Sequence, residues 1–167
     1  MNSKVLKYFL LTSILLTLVL YVFSSYFVIQ LSKSLPFGLY IKKTVPKTIP
    51  IGALVLFEIP ADTREIMVSR HWIPVYVKYY FMKPVAAKAG DHIIVDSSGV
   101  FINERYKGPV HQVDQQGLNL PMIIFNDILK KDTYFVLASS KNSFDSRYFG
   151  PIHKQSIINI VEPFLTF

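Results

Sequence analysis

The chain contains no cysteine in its 167 residues, which excludes disulfides, thiolate metal sites and a cysteine nucleophile together. That absence says little about compartment, because oxidising spaces permit disulfides without requiring them. The formal charge is +7, yet no run of about five or six basic residues occurs. Charge spread in this way argues for an anionic membrane surface as partner and against nucleic acid. Internal repeats and low-complexity linkers are also missing. Between Tyr8 and Ile29 there is no charge, no proline and no glycine for 22 residues. As a helix rising about 1.5 Å per residue, such a run spans roughly 33 Å and crosses a bilayer core. A secretory signal peptide has an apolar stretch of only about 7–15 residues that closes on a small-X-small site. This run is longer and ends in Phe-Val-Ile-Gln, so residues 1–31 are expected to be an uncleaved transmembrane anchor. Lys4, Lys7 and the terminal amine stand on one side of it, and Lys33, Lys42 and Lys43 on the other. The positive-inside rule therefore leaves the orientation open.

What remains, residues 32–167, is enough for one domain of ordinary size. Ile51–Ile59, Ile73–Ala87, Pro121–Phe125, Tyr134–Ala138 and Ile157–Pro163 are rich in β-branched and aromatic residues and read as strands. Pro74 and Pro84 restrict the second of these. His92–Val95 and Val100–Ile102, joined through Asp96-Ser97-Ser98-Gly99, read as a hairpin. Ala61–His71 suits a short exposed helix or loop with Asp62 as N-cap. Arg105–Leu120, with two glycines and a proline, reads as a surface loop, and Asp127–Lys131 as a single helical turn. The expectation is a mainly β domain, a partly closed barrel of short strands, after one N-terminal transmembrane helix.

Three stretches carry polar groups suited to chemistry. Ser32-Lys33-Ser34-Leu35-Pro36-Phe37-Gly38-Leu39-Tyr40 follows the apolar run directly. Pro36 fixes φ and Gly38 permits unusual φ, so the stretch makes a sharp turn carrying two hydroxyls. A polar turn leaving a membrane helix has the same composition, and Ser32 can simply satisfy the helix end. A serine nucleophile needs a base within hydrogen-bond reach. His71, His92, His111 and His153 show neither zinc-protease spacing nor a triad motif. The other base is a lysine, which works only when neutral, and burial lowers its pKa. In a strand over residues 79–85, Tyr79, Phe81, Lys83 and Val85 share one face, setting the Lys83 amine on an apolar wall. The alternative for Lys83 is a snorkelling side chain with its head in water. Lys88, beside Ala89-Gly90-Asp91, suits a solvated turn. In the third stretch, Ser143 to Pro151, Asp145 and Arg147 are placed to form an ion pair that shapes a loop.

The order and spacing of these stretches, with Gly99-Val100-Phe101-Ile102-Asn103 between them, resemble the signal peptidase I family. Ser-Leu-Pro-Phe-Gly-Leu-Tyr, Ser-Phe-Asp-Ser-Arg-Tyr-Phe-Gly-Pro and Asp114-X-X-Gly117-X-X-Leu120-Pro121 resemble more narrowly its TraF branch, proteases of conjugative type IV transfer systems. The resemblance implies Ser34 as nucleophile and Lys83, eight residues before Asp91, as general base. It implies an oxyanion site made by the Ser34 N–H and the Ser32 hydroxyl, with Ser143 bonded to the lysine amine and Asp145 and Arg147 in support. It implies a single-pass protein of the bacterial inner membrane with a periplasmic catalytic domain and no cofactor or metal. Its partners would be membrane lipid, other transfer components and a precursor, such as a pilin, with small residues before the cut. A general signal peptidase of the secretory pathway is the alternative within the same chemistry, and a non-catalytic scaffold of a secretion complex is the alternative outside it. Ala87, Ala89 and Glu104 depart from the family's usual residues, as does the lack of cysteine.

Overall fold

The computed structural model describes residues 3–32, 34–76 and 78–167. Lys33, counted above among the flanking charges, and Val77, inside one expected strand, lie outside the described residues. Helix α1 (Ser3–Tyr26) is exposed throughout Lys4–Tyr26. These 23 residues are long and apolar enough to cross a membrane, at about 35 Å of helix. Four of its hydroxyls pair within the helix: Thr12 Oγ1 donates to Tyr8 O, Thr17 Oγ1 to Ser13 O, and Ser24 Oγ and Ser25 Oγ to Tyr21 O. Internal pairing of this kind is what an apolar medium demands.

The apolar run divides before Ile29. Phe27–Gln30 leave the helix as strand β1, antiparallel to β2 (Gly38–Lys43). The junction is pinned by Lys42 Nζ, which donates to Ser24 O at 2.7 Å, a cation at the carbonyl end of the helix. Phe27 stacks on Phe23 and meets Phe164 edge-on. The seven residues Gln30 to Pro36 therefore run between two fixed points.

The remaining elements follow as β3 (Leu54–Glu58), α2 (Ala61–Ser69), β4 (Tyr80–Lys88), β5 (His92–Asp96), β6 (Gly99–Ile102), β7 (Arg105–Gly108), β8 (Phe125–Ile128), β9 (Thr133–Val136), α3 (Ser146–Phe149), β10 (Ile152–His153) and β11 (Ile157–Thr166). They form a seven-stranded sheet, β1-β2-β11-β3-β4-β9-β10, and a four-stranded one, β7-β6-β5-β8. The domain is mainly β, as expected. Both strand orders are linear, so each sheet keeps two edges instead of closing on itself.

Period-two alternation places the cores. On β3, Val55 and Phe57 face one side with Ile49, Val85, Val136 and Ile157, while Leu56 faces the other with Tyr40, Met82 and Val161. Ala87 and Phe135 carry the first sheet into the second, packing on Ile93, Val95, Val100 and Ile102.

Several local expectations are revised. Asp62 does not cap α2: the cap position is Pro60, and Asp62 sits in the first turn, where its charge complements the helix dipole. The expected strand at Ile73–Ala87 starts only at Tyr80, but runs through Pro84, which pairs with Leu54. Pro84 is tolerated because its carbonyl still accepts from Leu137 N and the register against β9 shifts just beyond it, between Val85 and Ala87. Arg105–Gly108 is a strand, not loop, because Asn103 and Glu104 both take positive φ (48° and 66°) and turn the chain back along β6. Asp127–Lys131 is no helical turn: Phe125–Ile128 instead completes the second sheet against β5.

Candidate active site

The site is assembled by a turn, a strand and a short helix far apart in sequence. The turn after β1 carries Ser32, exposed, and Ser34, half-buried, with their hydroxyl oxygens 2.9 Å apart. It is held from below: Tyr40 Oη donates to Pro36 O at 2.9 Å, and Leu35 packs against the Tyr40, Leu56, Met82 and Val161 cluster. Gly38 closes the turn at φ +147° where β2 and β11 meet, its Cα facing Leu165 O and Thr166. A side chain has no room there.

Strand β4 supplies Lys83, only 6% exposed. It pairs with Val55, and its Nζ lies 5.5 Å from the Phe81 ring centroid. The neighbouring wall is aromatic: Phe81, Phe57 and Phe144 all pack on Phe149. The amine is therefore buried against hydrocarbon instead of snorkelling. Its hydrogen bond goes to Ser143 Oγ at 2.8 Å. Burial pushes the Lys83 pKa down to about 8; the charge of Asp145 opposes the shift and that of Arg147 assists it. A deprotonated amine is thus accessible near neutral pH.

Asp145 and Arg147, 0% and 2% exposed, form the buried ion pair at the start of α3. Arg147 Nε donates to Asp145 Oδ1 at 2.8 Å and one terminal nitrogen to Oδ2 at 3.1 Å. The carboxylate also accepts from Arg147 N and Ala138 N, and the guanidinium reaches Ala138 O, Lys141 O and Pro109 O. Burial pushes the Asp145 carboxyl up, and Arg147 opposes this. Such saturation is what keeps two buried charges tolerable. Its structural effect is to lock the loop between β9 and α3, which presents Ser143 to Lys83. The stack of Phe144 on Tyr148, 5.0 Å between centroids, holds the same loop from the other side.

Ser32, Ser34, Lys83 and Ser143 line one open cleft of about 870 Å³, with Met82 and Phe144 among its apolar walls. No histidine lines it among the described residues. His92 is bonded to Asn126, and His111 lines an adjoining cavity that shares Trp72, Gln115, Asn142, Ser143 and Phe144 with the cleft. Ser34 and Lys83 are brought to the same cleft but are not hydrogen-bonded to each other: Ser34 Oγ faces Ser32, and Lys83 Nζ faces Ser143. Lys88 is exposed, and its backbone N–H donates to Asp91 Oδ2, so Asp91 braces the turn after β4. Among the described residues no group of three or more His, Asp or Glu side chains is placed to hold a metal ion.

Two contributors escaped the sequence reading. Gln30, read only as the polar end of the apolar run, is buried and bonded to Ser32. Trp72, from the segment after α2, lines the cleft and meets Phe144 edge-on. Arg70 lies over the Trp72 ring and bonds to Asp114, whose own turn brings Gln115 to the cleft. An amide ending a strand and an aromatic in a connecting segment have no local pattern that marks them.

Comparison with known proteins bears on the family of the chain. The family model "Signal peptidase, peptidase S26" matches residues 2–165. Two plasmid transfer proteins TraF from Escherichia coli are similar, one 31% identical over 148 residues and the other 32% over 152. Each alignment covers 83% of this chain and 82% of the relative. Among solved structures, a signal peptidase I from Enterococcus faecalis superposes with a TM-score of 0.37 at 16% identity, covering 68% of this chain and 97% of that one.

Proposed function

Because the chain belongs to the signal peptidase family, peptidase S26, a family of serine peptidases acting on precursor proteins, we propose that it is a membrane-anchored endopeptidase with Ser34 as nucleophile and Lys83 as general base. The observation that carries this reading is the Lys83 amine, buried on an apolar wall, depressed to about pKa 8 and lining the same cleft as Ser34. Residues 1–31 anchor the protein and 32–167 form the catalytic domain on the periplasmic face of the bacterial inner membrane. The last four described residues of the anchor before Leu31 double as the edge strand β1.

In the reaction, Ser34 exchanges Ser32 for Lys83 as its hydrogen-bond partner when substrate enters. Neutral Lys83 takes the Ser34 proton as Oγ attacks the scissile carbonyl. The carbonyl electrons move to oxygen, where the Ser32 hydroxyl and the Ser34 N–H stabilise the oxyanion. Collapse breaks the C–N bond, and the leaving amine takes the proton held by Lys83. A water then repeats the sequence on the ester, giving its proton to Lys83 and freeing Ser34. Ser143 fixes the Lys83 amine, and the Asp145–Arg147 pair fixes Ser143. The precursor carries small residues before the cut. The TraF relatives favour a pilin or another subunit of a conjugative type IV transfer system over general secretory precursors, with other transfer components as neighbours.

Precursor processing in membranes tests this reading. Wild type, Ser34→Ala and Lys83→Ala are compared on a candidate pilin and on an ordinary secreted precursor, with and without a chelator. Both variants are expected to insert and fold but not to cleave, the pilin to be preferred, and the chelator to have no effect. Cleavage by either variant, or its loss on chelation, refutes the Ser34/Lys83 mechanism.

A further inference from the structure

Gln30 is the last residue of β1, 8% exposed, and lies two positions before Ser32. A buried amide requires partners, and this one has two on the same residue. Its Nε2 donates to Ser32 O at 3.1 Å and to Ser32 Oγ at 2.6 Å. A carbonyl oxygen can only accept, so the first bond fixes which end of the amide faces Ser32. The second bond is then also a donation from Gln30. Ser32 Oγ accepts it and keeps its own single proton for another acceptor. The next oxygen is Ser34 Oγ at 2.9 Å, at the mouth of the cleft. Either hydroxyl can donate across this pair. With the Gln30 N–H occupying one lone pair of Ser32 Oγ, donation from Ser32 to Ser34 completes a chain from Gln30 to Ser32 to Ser34 that leaves the Ser34 proton free for a base.

We propose that Gln30 is a positioning residue that sets the Ser32 hydroxyl as a donor aimed into the cleft, first at Ser34 Oγ and then at the oxyanion. This rests on the reading of Ser32 and Ser34 given above. Gln30 lines the same cleft, and its hydrogen bonds go to Ser32, through which it acts. The strand holds it: Gln30 pairs with Gly38 in the β1–β2 ladder, so the amide and the turn it orients are set by the same backbone.

A double-mutant cycle on precursor cleavage tests the proposal. Gln30→Glu keeps the shape but replaces the donor by a carboxylate, which accepts the Ser32 proton and turns the hydroxyl away from the cleft. Gln30→Met keeps the length without any polar group. The Glu variant is expected to lower kcat about 100-fold, the order seen for losing one oxyanion donor, with KM little changed because only the transition state is affected. The Met variant is expected to lose less, since its Ser32 hydroxyl is unguided but not captured. In a Ser32→Ala background, either substitution is expected to change kcat by less than about threefold. An equal factor in both backgrounds overturns the proposal. Urea unfolding of each variant shows that it is folded, and if the Glu variant is not, the Met variant carries the cycle. A Ser34→Ala control separates the two levels: residual cleavage there removes the nucleophile assignment, whereas an inactive control with additive Gln30 effects removes only the role of Gln30.

Discussion

Replacing Lys83 by Met separates a buried amine from a solvated one by a pH signature. The Lys83 amine loses its proton near pH 8 in the folded chain, against 10.5 for an ordinary lysine. Below pH 8 both folded and unfolded chains carry the proton, and the folded chain bears a desolvation cost of about 3 kcal/mol. Between pH 8 and 10.5 the folded chain releases the proton while the unfolded chain keeps it, so stability rises with pH by up to about 1.4 kcal/mol per unit. Above 10.5 the cost is gone. The Met variant lacks this rise. It also leaves Ser143 Oγ, bonded to Lys83 in the wild type, without that partner, which costs about 1–3 kcal/mol at every pH. The absolute gain at pH 7 is therefore small, but the difference between the two proteins should fall by about 3 kcal/mol from pH 7.5 to 10.5. Urea unfolding of the full chain in detergent, followed by the fluorescence of Trp72, the single tryptophan, measures it. Groups common to both proteins cancel in the difference. Parallel stability curves would show that the ammonium reaches water, and the case for a neutral lysine base would fall with it.

The pH dependence of cleavage should follow the same group: kcat/KM rises about tenfold per pH unit below 8 and levels above it, as Lys83 becomes neutral. Asp145→Asn leaves Arg147, 2% exposed, without its carboxylate and should destabilise the chain by about 3–5 kcal/mol in urea unfolding. Since the charge of Asp145 holds the proton on Lys83, the same variant should move the midpoint of the pH–rate curve below 8; a move upward contradicts the arrangement. Gly38→Ala places a Cβ 2.8 Å from Thr166 Cα and closer still to Leu165 O, at a φ of +147°. It should lower stability by more than about 1 kcal/mol and reduce cleavage, because the displaced strands carry the Ser34 turn. An unchanged unfolding midpoint would show that β11 does not close on Gly38.

The residue types suited to the chemistry are legible in sequence because they depend on local pattern. A 22-residue run without charge sets off a segment long and apolar enough to cross a membrane, and a serine-proline-glycine turn directly after it offers two hydroxyls. Period-two alternation in Phe81, Lys83 and Val85 aims a lysine at an apolar wall, and turn residues mark the β5–β6 hairpin. Mainly β architecture follows from many short β-rich segments separated by turn chemistry.

Burial of the lysine is a different matter. Alternation tells which face Lys83 takes, but whether that face is dry depends on Phe149 and the loop carrying Ser143, about 60 residues away. The split of the apolar run at Tyr26 was equally hidden, because Phe-Val-Ile suits a membrane helix and an edge strand alike, and pairing with β2 decides between them. Strand β7 depends on two positive-φ residues without glycine, which turn statistics disfavour and the sheet stabilises. Gln30 has no local signal, since its role is a pair of hydrogen bonds. Sequence by itself determined the polar groups available and the apolar segment they follow. Tertiary structure alone decided which were removed from water and which way each hydrogen bond points, because desolvation and donor direction arise from neighbours brought together by strand pairing across the whole domain.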